Sequence, residues 1–280
     1  MPDSSNISIV TVSFESEKAL ASLLPSIEEN VELIIVNNST KPLSEELKKT
    51  KHFTEIQNSE NKGFGAACNI GAKAASKDFI FFLNPDTILD KNCITYLLNA
   101  AEKIPNASAF TPKIVRKNNK EEFKRRSVLI KKKLWLKKPP KQTCEIPVMG
   151  GAAIFLKKEN FTKIGGFDEN IFLYHEDDDL SIRLKNEIGP LIYYPKSKVV
   201  HTGGNSSQRS PEIAKIKGFY MGKSRVYCMK KYQIKHYQIR CLLLAIIQLL
   251  SIEIVFSPRK RSKYLSFFKG VVQSLIEEKI

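Results

Sequence analysis

The sequence predicts an α/β fold in which helices flank a mostly parallel central sheet. Short apolar runs alternate with segments whose apolar residues recur at helical spacing, an alternation typical of βαβ units. The run FIFFL at 79–83 is entirely apolar, as expected of a buried strand. With 280 residues and 42% hydrophobic content, the chain is long enough to bury a sizeable core.

Four strands are predicted in the first third of the chain. They are ISIVTVS at 7–13, VELIIV at 31–36, FTEIQ at 53–57 and DFIFFL at 78–83. Helical spacing follows the first and third strands, in EKALASLLPSI at 17–27 and GAACNIGAKAAS at 65–76. A later strand, LIYYP at 191–195, follows a predicted helix that starts in an acidic cluster at 176–179.

Charge and cysteine content indicate the compartment and the partners. The formal net charge is +16, and the segment 113–141 holds thirteen Lys or Arg against Glu121 and Glu122. Such a charge favours anionic partners. Five cysteines without paired spacing, and no basic-then-apolar leader, predict a reducing cytoplasm. We expect a domain at 1–235, interrupted by this basic excursion, and a helical basic segment at 236–280.

Polar residues follow the predicted strands where each one ends. In FLNPDT, Pro85 stops the fourth strand, biases Asn84 towards extended geometry and leaves Asp86 on a stiff turn. Ligands bind beyond the carboxyl ends of parallel strands, so these groups are predicted to converge on one site. A turn with local hydrogen bonds is the alternative explanation for NPDT alone. The other residues of this edge are Ser13, Phe14, Glu15, Asn37, Asn38 and Ser39.

A glycine-rich stretch, ENKGFGAACNIG at 60–71, follows the third strand and opens a helix. Free N–H groups at such a helix start suit an anionic group, and Gly63 and Gly65 let the backbone approach a ligand. The stretch matches neither the dinucleotide fingerprint nor the P-loop, which weakens both of those interpretations. A purely structural glycine pair also remains open.

An acidic cluster, Glu176 to Asp179, and His201 at the end of KVVH are further candidates. Carboxylates favour a helix N-terminus, so a solvated cap is one explanation. Four carboxylates exceed what a cap requires, and their repulsion suits a general base or a metal ligand. A single His is more often structural than a ligand.

Six motifs in order strongly resemble family 2 glycosyltransferases, especially the rhamnosyltransferase-like branch that builds bacterial surface polysaccharides. The motifs are VTVSFES, IIVNNST, NKGFGAACNIG, FLNPDT, GGFDENIFLYHEDDDL and VVHTGG, and the resemblance covers about residues 7–230. It implies a GT-A fold and an inverting transfer of a sugar from a nucleotide diphosphate. It also implies Mg²⁺ or Mn²⁺ as cofactor.

The resemblance assigns roles to individual positions. Asp177 resembles the catalytic base, with Glu176 and Asp179 beside it, whereas Asp86 and His201 resemble the metal ligands. Thr11 and Phe14 resemble the residues that hold the base of the nucleotide. The nucleotide-sugar site implied is Thr11, Phe14, Glu15, Asn37, Asn38, Gly63, Phe64, Gly65, Asn69, Asn84, Asp86, Lys223 and Arg225. The acceptor side implied is Gly150, Gly151 and His175.

The sequence departs from the family pattern at two places. Asn37 stands where the family usually has Asp, so a negative charge is missing at the position that recognises the base or ribose of the nucleotide. Asp178 is an extra carboxylate, which leaves Asp177 or Asp179 as base, and Asp177 is favoured by position. The expected donor is dTDP-rhamnose or a UDP-hexose, and the expected acceptor is a glycan or lipid-linked glycan. The sequence indicates no oligomeric state.

Three other classes compete with this interpretation. A sugar nucleotidyltransferase would carry a G-x-G-T-R-like loop after the first strand, and TVSFES lacks it. A nucleic-acid-binding protein would explain the basic segment, but no such motif accompanies it and no nucleic acid is expected as partner. A catalytically dead relative is opposed by the presence of Asp86, Asp177 and His201.

Two segments predict contact with a membrane. KKKLWLKK at 131–138 sets Leu134, Trp135 and Leu136 between lysines, which suits an anionic lipid surface. The 16-residue run CLLLAIIQLLSIEIVF at 241–256 falls short of the roughly 20 residues that span a bilayer. It is predicted either to pack on the domain or to lie in the interface. We therefore expect peripheral attachment at the inner face of the plasma membrane.

Overall fold

A computed structural model describes residues 4–203 and 210–277. These residues divide into two compact units. The first contains the described residues up to 168 and those from 177 to 203. The second contains residues 169–176 and the described residues from 210 onward. Gly204, which ends the VVHTGG motif, lies outside the described residues.

The first unit is built on a sheet that has ten strands among its described residues. In chain order they are β1 (Ile7–Ser13), β2 (Glu32–Asn37), β3 (Thr54–Gln57), β4 (Phe79–Leu83), β5 (Thr87–Leu89), β6 (Ala109–Arg116), β7 (Glu121–Glu122), β8 (Cys144–Ile146), β9 (Ala153–Lys157) and β10 (Leu191–His201). The spatial order is β3-β2-β1-β4-β9-β6-β10-β5, with β7 beside β6 and β8 beside β10.

The predicted strands form the parallel half of this sheet. β1 to β4 begin and end within one residue of the predicted limits, and β3-β2-β1-β4 pair in parallel. Beyond β4 the pairing is mixed, because β9 runs antiparallel to both β4 and β6. β10 then runs parallel to β6 and antiparallel to β5. The sequence pattern predicted the parallel half and not these antiparallel additions.

Helices cover both faces of the sheet, as predicted. They are α1 (Glu17–Leu23), α2 (Glu45–Thr50), α3 (Phe64–Ala74), α4 (Cys93–Lys103), α5 (Lys158–Lys163) and α6 (Glu176–Glu187). Alternate residues of each parallel strand point to opposite faces. Ile7 and Ile9 of β1 therefore join the core beneath α1 and α4, whereas Val10 and Val12 join the core beneath α3 and α6. Burial on both faces explains why β1, β2 and β4 are mostly apolar.

The basic excursion is partly built into the first unit. Glu121 and Glu122 form β7, and Trp135 Nε1 donates to Ser127 O at 2.9 Å. Leu136 packs at the edge of the core beneath α3 and α6, so of the three apolar residues between the lysines only Leu134 is classed as exposed. The five lysines of KKKLWLKK are exposed. The membrane contact predicted for this segment remains a prediction that depends mainly on charge.

The second unit is helical where it is described from residue 210 onward. It contains α7 (Pro211–Lys231), α8 (Tyr237–Leu249), α9 (Glu253–Phe256) and α10 (Pro258–Glu277). No helix within the described ranges is long and apolar enough to cross a bilayer. The segment predicted at 236–280 thus corresponds to α8, α9 and α10, and α7 packs against α10 in the same unit.

Glycines allow α7 and α10 to pack backbone against backbone. A Cβ added at Gly218 would lie 2.2 Å from the carbonyl oxygen of Lys263. A Cβ added at Gly270 would lie 2.1 Å from the carbonyl oxygen of Phe219. Real Cβ atoms do not come this close to backbone, so these positions require glycine for the observed helix packing.

Gly222→Ala is expected to lower the free energy of unfolding by about 1–3 kcal/mol, the usual cost of overpacking. Its Cβ would lie 2.4 Å from the carbonyl oxygen of Phe267 and 2.9 Å from the amide nitrogen of Val271. Chemical denaturation of the full chain measures the change. Gly150→Ala is the matched control, because its Cβ would meet only Lys124 Cβ, at 3.8 Å. Equal stability of the two variants would contradict this account of the helix pair.

Candidate active site

Asp86 lies on a rigid turn that directly follows β4. Asn84 N donates to Ala152 O at 3.0 Å, and Asn84 O accepts from Thr87 N at 3.2 Å. The Thr87 hydroxyl donates to the same carbonyl oxygen at 2.7 Å. The Asp86 carbonyl accepts from both the N–H and the hydroxyl of Thr202. The buried carboxylate of Asp86 is therefore held in one place at the end of the strand.

His201 reaches Asp86 because β10 pairs with β5. His201 stands opposite Thr87 in the antiparallel register, and its Nε2 lies 3.2 Å from Asp86 Oδ1. Its Nδ1 lies 3.1 Å from Glu122 Oε2. The hydrogen bond to Asp86 raises the pKa of His201, and Glu122 adds to this rise although partial burial opposes it. The two side chains that the resemblance implied as metal ligands are thus in direct contact.

These side chains suit a divalent cation whose other ligands come from a substrate. A carboxylate oxygen is a favoured ligand of Mg²⁺ and Mn²⁺, and imidazole binds transition metals. Glu122 holds the second ring nitrogen of His201, as outer carboxylates do for metal-binding histidines. Within residues 4–203 and 210–277, no three or more His, Cys, Asp or Glu are grouped to hold a metal by themselves. Diphosphate oxygens would complete such a site.

The ends of β1 and β2 are joined by short polar contacts. Thr11 of β1 is fully buried, and its hydroxyl has no hydrogen-bond partner among the described residues. Phe14 N donates to Ser16 Oγ at 3.1 Å. Glu15 has a positive φ of 52° and its N–H donates to Ser39 Oγ at 2.7 Å. The turn that carries Phe14 and Glu15 is therefore tied to the end of β2.

The Asn37-Asn38 pair is buried and engaged by the protein. Asn37 Nδ2 lies within 3.1 Å of Lys41 O, Glu55 Oε1 and Gln57 Oε1. Its Oδ1 accepts from Ser39 N at 2.9 Å. Asn38 Nδ2 donates to Gly63 O at 3.0 Å. In this structure the two amides organise the loops at the sheet edge, which is a role that neutral Asn fills without the charge of Asp.

The glycine-rich stretch contacts a second glycine loop. A Cβ at Gly65 would lie 3.0 Å from Phe167 Cβ, and Phe64 makes an edge contact with Phe167. Asn69 Nδ2 donates to Phe167 O at 2.9 Å, and its Oδ1 accepts from Phe167 N at 2.8 Å. Gly63 precedes α3 with a φ of 86°. This stretch therefore fixes the GGFD loop that leads towards the acidic cluster.

Asp177 is presented beside the glycine pair that was predicted for the acceptor side. Its Oδ2 accepts from Gly151 N at 2.9 Å and lies 2.7 Å from Lys124 Nζ. Lys124 Nζ also lies 2.9 Å from Asp178 Oδ1. Burial opposes it, but the charges of Asp177 and Asp178 hold the pKa of Lys124 above its ordinary value. The Lys124 ammonium group therefore stays charged at neutral pH and bridges the two carboxylates.

Asp179 has a different environment from Asp177. It is completely buried, and its Oδ2 lies 2.8 Å from Arg183 Nε and 2.7 Å from the second terminal nitrogen of the same guanidinium. Arg183 also donates to Ile164 O at 2.8 Å. A buried carboxylate held by a guanidinium fork is a structural group. These contacts favour Asp177 over Asp179 as the catalytic base, a choice that the sequence left open.

Four of the proposed site residues belong to the second unit. Glu176 is the first residue of α6 and is buried, and His175 before it has a φ of 70°. Tyr174 also has a positive φ, so two consecutive non-glycine residues adopt a costly conformation.

Lys223 Nζ lies 3.0 Å from Glu277 Oε2. Burial lowers the pKa of Arg225, which lies on α7 with Lys223.

Glu122 and Lys124 are site residues that sequence reasoning missed. Glu122 contacts His201, and Lys124 contacts Asp177 and Asp178. Two residues of chain span at most about 7 Å, so a single short segment contacts both the metal-side cluster and the base-side cluster. The signal was present as two glutamates in an otherwise cationic segment, EEFKRR at 121–126. From the sequence alone, this segment is predicted only to be part of the basic excursion.

Comparisons with known proteins identify the family of this chain. The profile of the family described as glycosyl transferase family 2 matches residues 8–165, more than half of the chain. The chain is also 26% identical over 227 residues to the N-acetylglucosaminyl-diphospho-decaprenol L-rhamnosyltransferase of Mycobacterium tuberculosis. That alignment covers 70% of this chain and 74% of the relative.

Solved structures show the same fold at low sequence identity. GalNAc-T7 with UDP, GalNAc and Mn²⁺ gives a TM-score of 0.59 at 14% identity, covering 98% of this chain and 57% of that one. Staphylococcus aureus TarS, residues 1–349, gives a TM-score of 0.55 at 14% identity, covering 98% of this chain and 92% of that one. The predicted GT-A fold is confirmed.

Proposed function

Because the chain belongs to glycosyl transferase family 2, we propose that it is an inverting enzyme of bacterial surface polysaccharide synthesis. It would transfer rhamnose or a hexose from a nucleotide diphosphate to a glycan or lipid-linked glycan. One observation carries the proposal: a single short segment contacts both groups, the Asp86–His201 pair through Glu122 and the Asp177 carboxylate through Lys124. A leaving-group site and a base site side by side are what the reaction needs.

Asp86 and His201 would hold Mg²⁺ or Mn²⁺ against the diphosphate of the donor. The bound cation supplies electrostatic stabilisation for the negative charge of the departing nucleoside diphosphate. The Thr11 hydroxyl would form a hydrogen bond with the nucleobase of the donor, since this buried hydroxyl has no partner among the described residues. Asn37 and Asn38 support this pocket by fixing its loops, and Glu15 lies at its rim. The strand ends therefore form the donor side.

Asp177 would act as the general base on the acceptor side. The acceptor hydroxyl oxygen forms a bond to the anomeric carbon as the bond from that carbon to the phosphate oxygen breaks. Asp177 takes the hydroxyl proton, and the nucleoside diphosphate leaves with the bonding electron pair. A single in-line displacement inverts the anomeric configuration, so one base suffices. Gly151 N holds the carboxylate in position for this step.

A lipid-linked acceptor is supported by the Mycobacterium tuberculosis relative, whose name specifies a sugar on diphospho-decaprenol. Gly150 and Gly151 are proposed to border this acceptor, since Gly151 N contacts Asp177. An enzyme that uses such an acceptor with a cytoplasmic donor would work at the inner face of the plasma membrane. We therefore retain peripheral attachment to an anionic membrane as part of the proposal.

Donor binding tests the proposal in solution. The protein is mixed with Mn²⁺ and with dTDP-, UDP-, GDP- and CMP-linked sugars, and thermal unfolding is measured for each. A donor at 100 times its Kd should stabilise the folded protein by about 2.7 kcal/mol, which corresponds to several degrees. We expect this shift with dTDP-rhamnose or a UDP-hexose. If no nucleotide sugar raises the unfolding temperature, the proposed function is wrong.

A further inference from the structure

The segment from α8 to α9 exposes an unusual amount of apolar surface. Large apolar side chains on α8, in the following turn and on α9 have between 44% and 79% of their area accessible. They are Ile239, Leu243, Ile246, Ile247, Leu250, Ile252, Val255 and Phe256. We call these eight residues the apolar stripe. Single exposed apolar residues are normal, but a contiguous group indicates an interaction surface.

The stripe arises from helical spacing on α8. At 3.6 residues per turn, Ile239, Leu243, Ile246, Ile247 and Leu250 fall within an arc of about 100°. Cys241 and Ala245, on the opposite arc, are fully buried. The helix therefore uses its small buried residues to pack and presents its larger residues outward. With 13 residues, α8 is about 20 Å long, too short to cross a hydrocarbon core of about 30 Å.

Cations flank the stripe on both sides along the chain. Between residues 230 and 269 the sequence has nine Lys or Arg and one acidic residue, Glu253. Glu253 is engaged by Lys260 and by the Tyr264 hydroxyl, which donates to it at 2.7 Å. Arg240 precedes most of the stripe, and Arg259 follows it, both exposed. The chain segments that flank the stripe are therefore strongly positive.

We propose that the apolar stripe docks the protein in the plane of an anionic membrane. Apolar residues that enter the acyl boundary while flanking cations meet anionic headgroups are the features of an interfacial helix. A second copy of this chain is a poorer partner, because two equally cationic faces repel each other. The inference deepens the proposed function, on which it rests for its purpose, and gives the enzyme a means of reaching lipid-linked acceptors.

Vesicle sedimentation tests this inference without donor or acceptor. Wild-type protein is expected to sediment with vesicles that contain phosphatidylglycerol and not with vesicles of phosphatidylcholine alone. Leu250→Ser combined with Phe256→Ser should lower this binding at least about tenfold, since both side chains lose their apolar contact with lipid. Both residues are 79% exposed, so the folded structure should be unaffected, and thermal unfolding checks this. Tyr96→Ser, an exposed apolar side chain outside both predicted membrane segments, is the control and should leave binding unchanged.

The electrostatic part of the inference has its own variant. Arg259→Gln with Arg261→Gln should lower binding to phosphatidylglycerol vesicles, and salt near 1 M, where screening shortens to about 3 Å, should weaken binding of the wild type. The inference is overturned if the Leu250→Ser/Phe256→Ser variant binds these vesicles as well as the wild type does. It is also overturned if the wild type does not bind these vesicles, or if the wild type forms a concentration-dependent dimer that the double variant does not form. Because sugar-nucleotide binding is measured separately, failure here leaves the proposed transferase activity standing.

Discussion

Asp177→Asn is expected to lower turnover by at least about 100-fold while donor binding persists. The substitution keeps the shape of the side chain and removes its basicity, so the acceptor hydroxyl loses the group that takes its proton. Gly151 N can still donate to the amide oxygen, which keeps the local structure in place. Steady-state kinetics measure turnover, and the thermal shift caused by donor and Mn²⁺ measures binding.

Two neighbouring variants separate the loss of a base from the loss of an ion pair. Asp178→Asn is the matched control, because Asp178 shares the contact with Lys124 but is not the proposed base. It should retain most of the turnover. Asp179→Asn breaks the buried pair with Arg183 and should cost about 3–5 kcal/mol of folding stability. If Asp179→Asn remains folded and loses turnover while Asp177→Asn does not, the choice of base is wrong.

Asp86→Ala is expected to abolish transfer and the Mn²⁺-dependent part of donor binding. In the proposed site, buried Asp86 would supply the oxygen ligand, and His201 alone would offer one nitrogen ligand. EDTA should inactivate the wild type in the same way, and Mn²⁺ or Mg²⁺ should restore it. Donor titrations with and without the metal, followed by thermal unfolding, measure the binding without relying on activity.

Controls distinguish this effect from a general weakening of the turn. Asp86→Asn preserves the shape of the side chain and should also lose metal-dependent donor binding. Asp90→Ala removes a nearby carboxylate whose ion pair with Lys198 is solvent-exposed, and such pairs contribute little. It should behave as the wild type. Full activity of Asp86→Ala would show that this residue serves only the turn.

The parallel half of the fold was predictable because its signals are local. β1, β2 and β4 are mostly apolar runs, as expected of strands that are buried on both faces. Pro85 marked the end of β4, and the following carboxylate was found at the rim of the sheet as expected. The antiparallel strand β9 was not predicted, since its position beside β4 depends on pairing across more than sixty residues of chain.

The candidate site was only partly predictable for the same reason. Asp86, Asp177 and His201 stand in recognisable motifs, but Glu122 and Lys124 acquire their importance through contacts between distant residues. The role of Asn37 was also hidden, because nothing local indicates that its amide would bind Glu55 and Gln57. The distinction between Asp177 and Asp179 required the position of Arg183, one helical turn beyond Asp179.

The anomeric configuration of the product tests the account most directly. The protein is incubated with Mn²⁺, the donor identified by thermal shift and a polyprenyl-diphosphate-linked sugar, and the new linkage is analysed by NMR. One displacement assisted by Asp177 predicts that the anomeric configuration is opposite to that of the donor, with one nucleoside diphosphate released for each sugar transferred. A product that retains the donor configuration, or no transfer to this acceptor or to a glycan, would contradict the account.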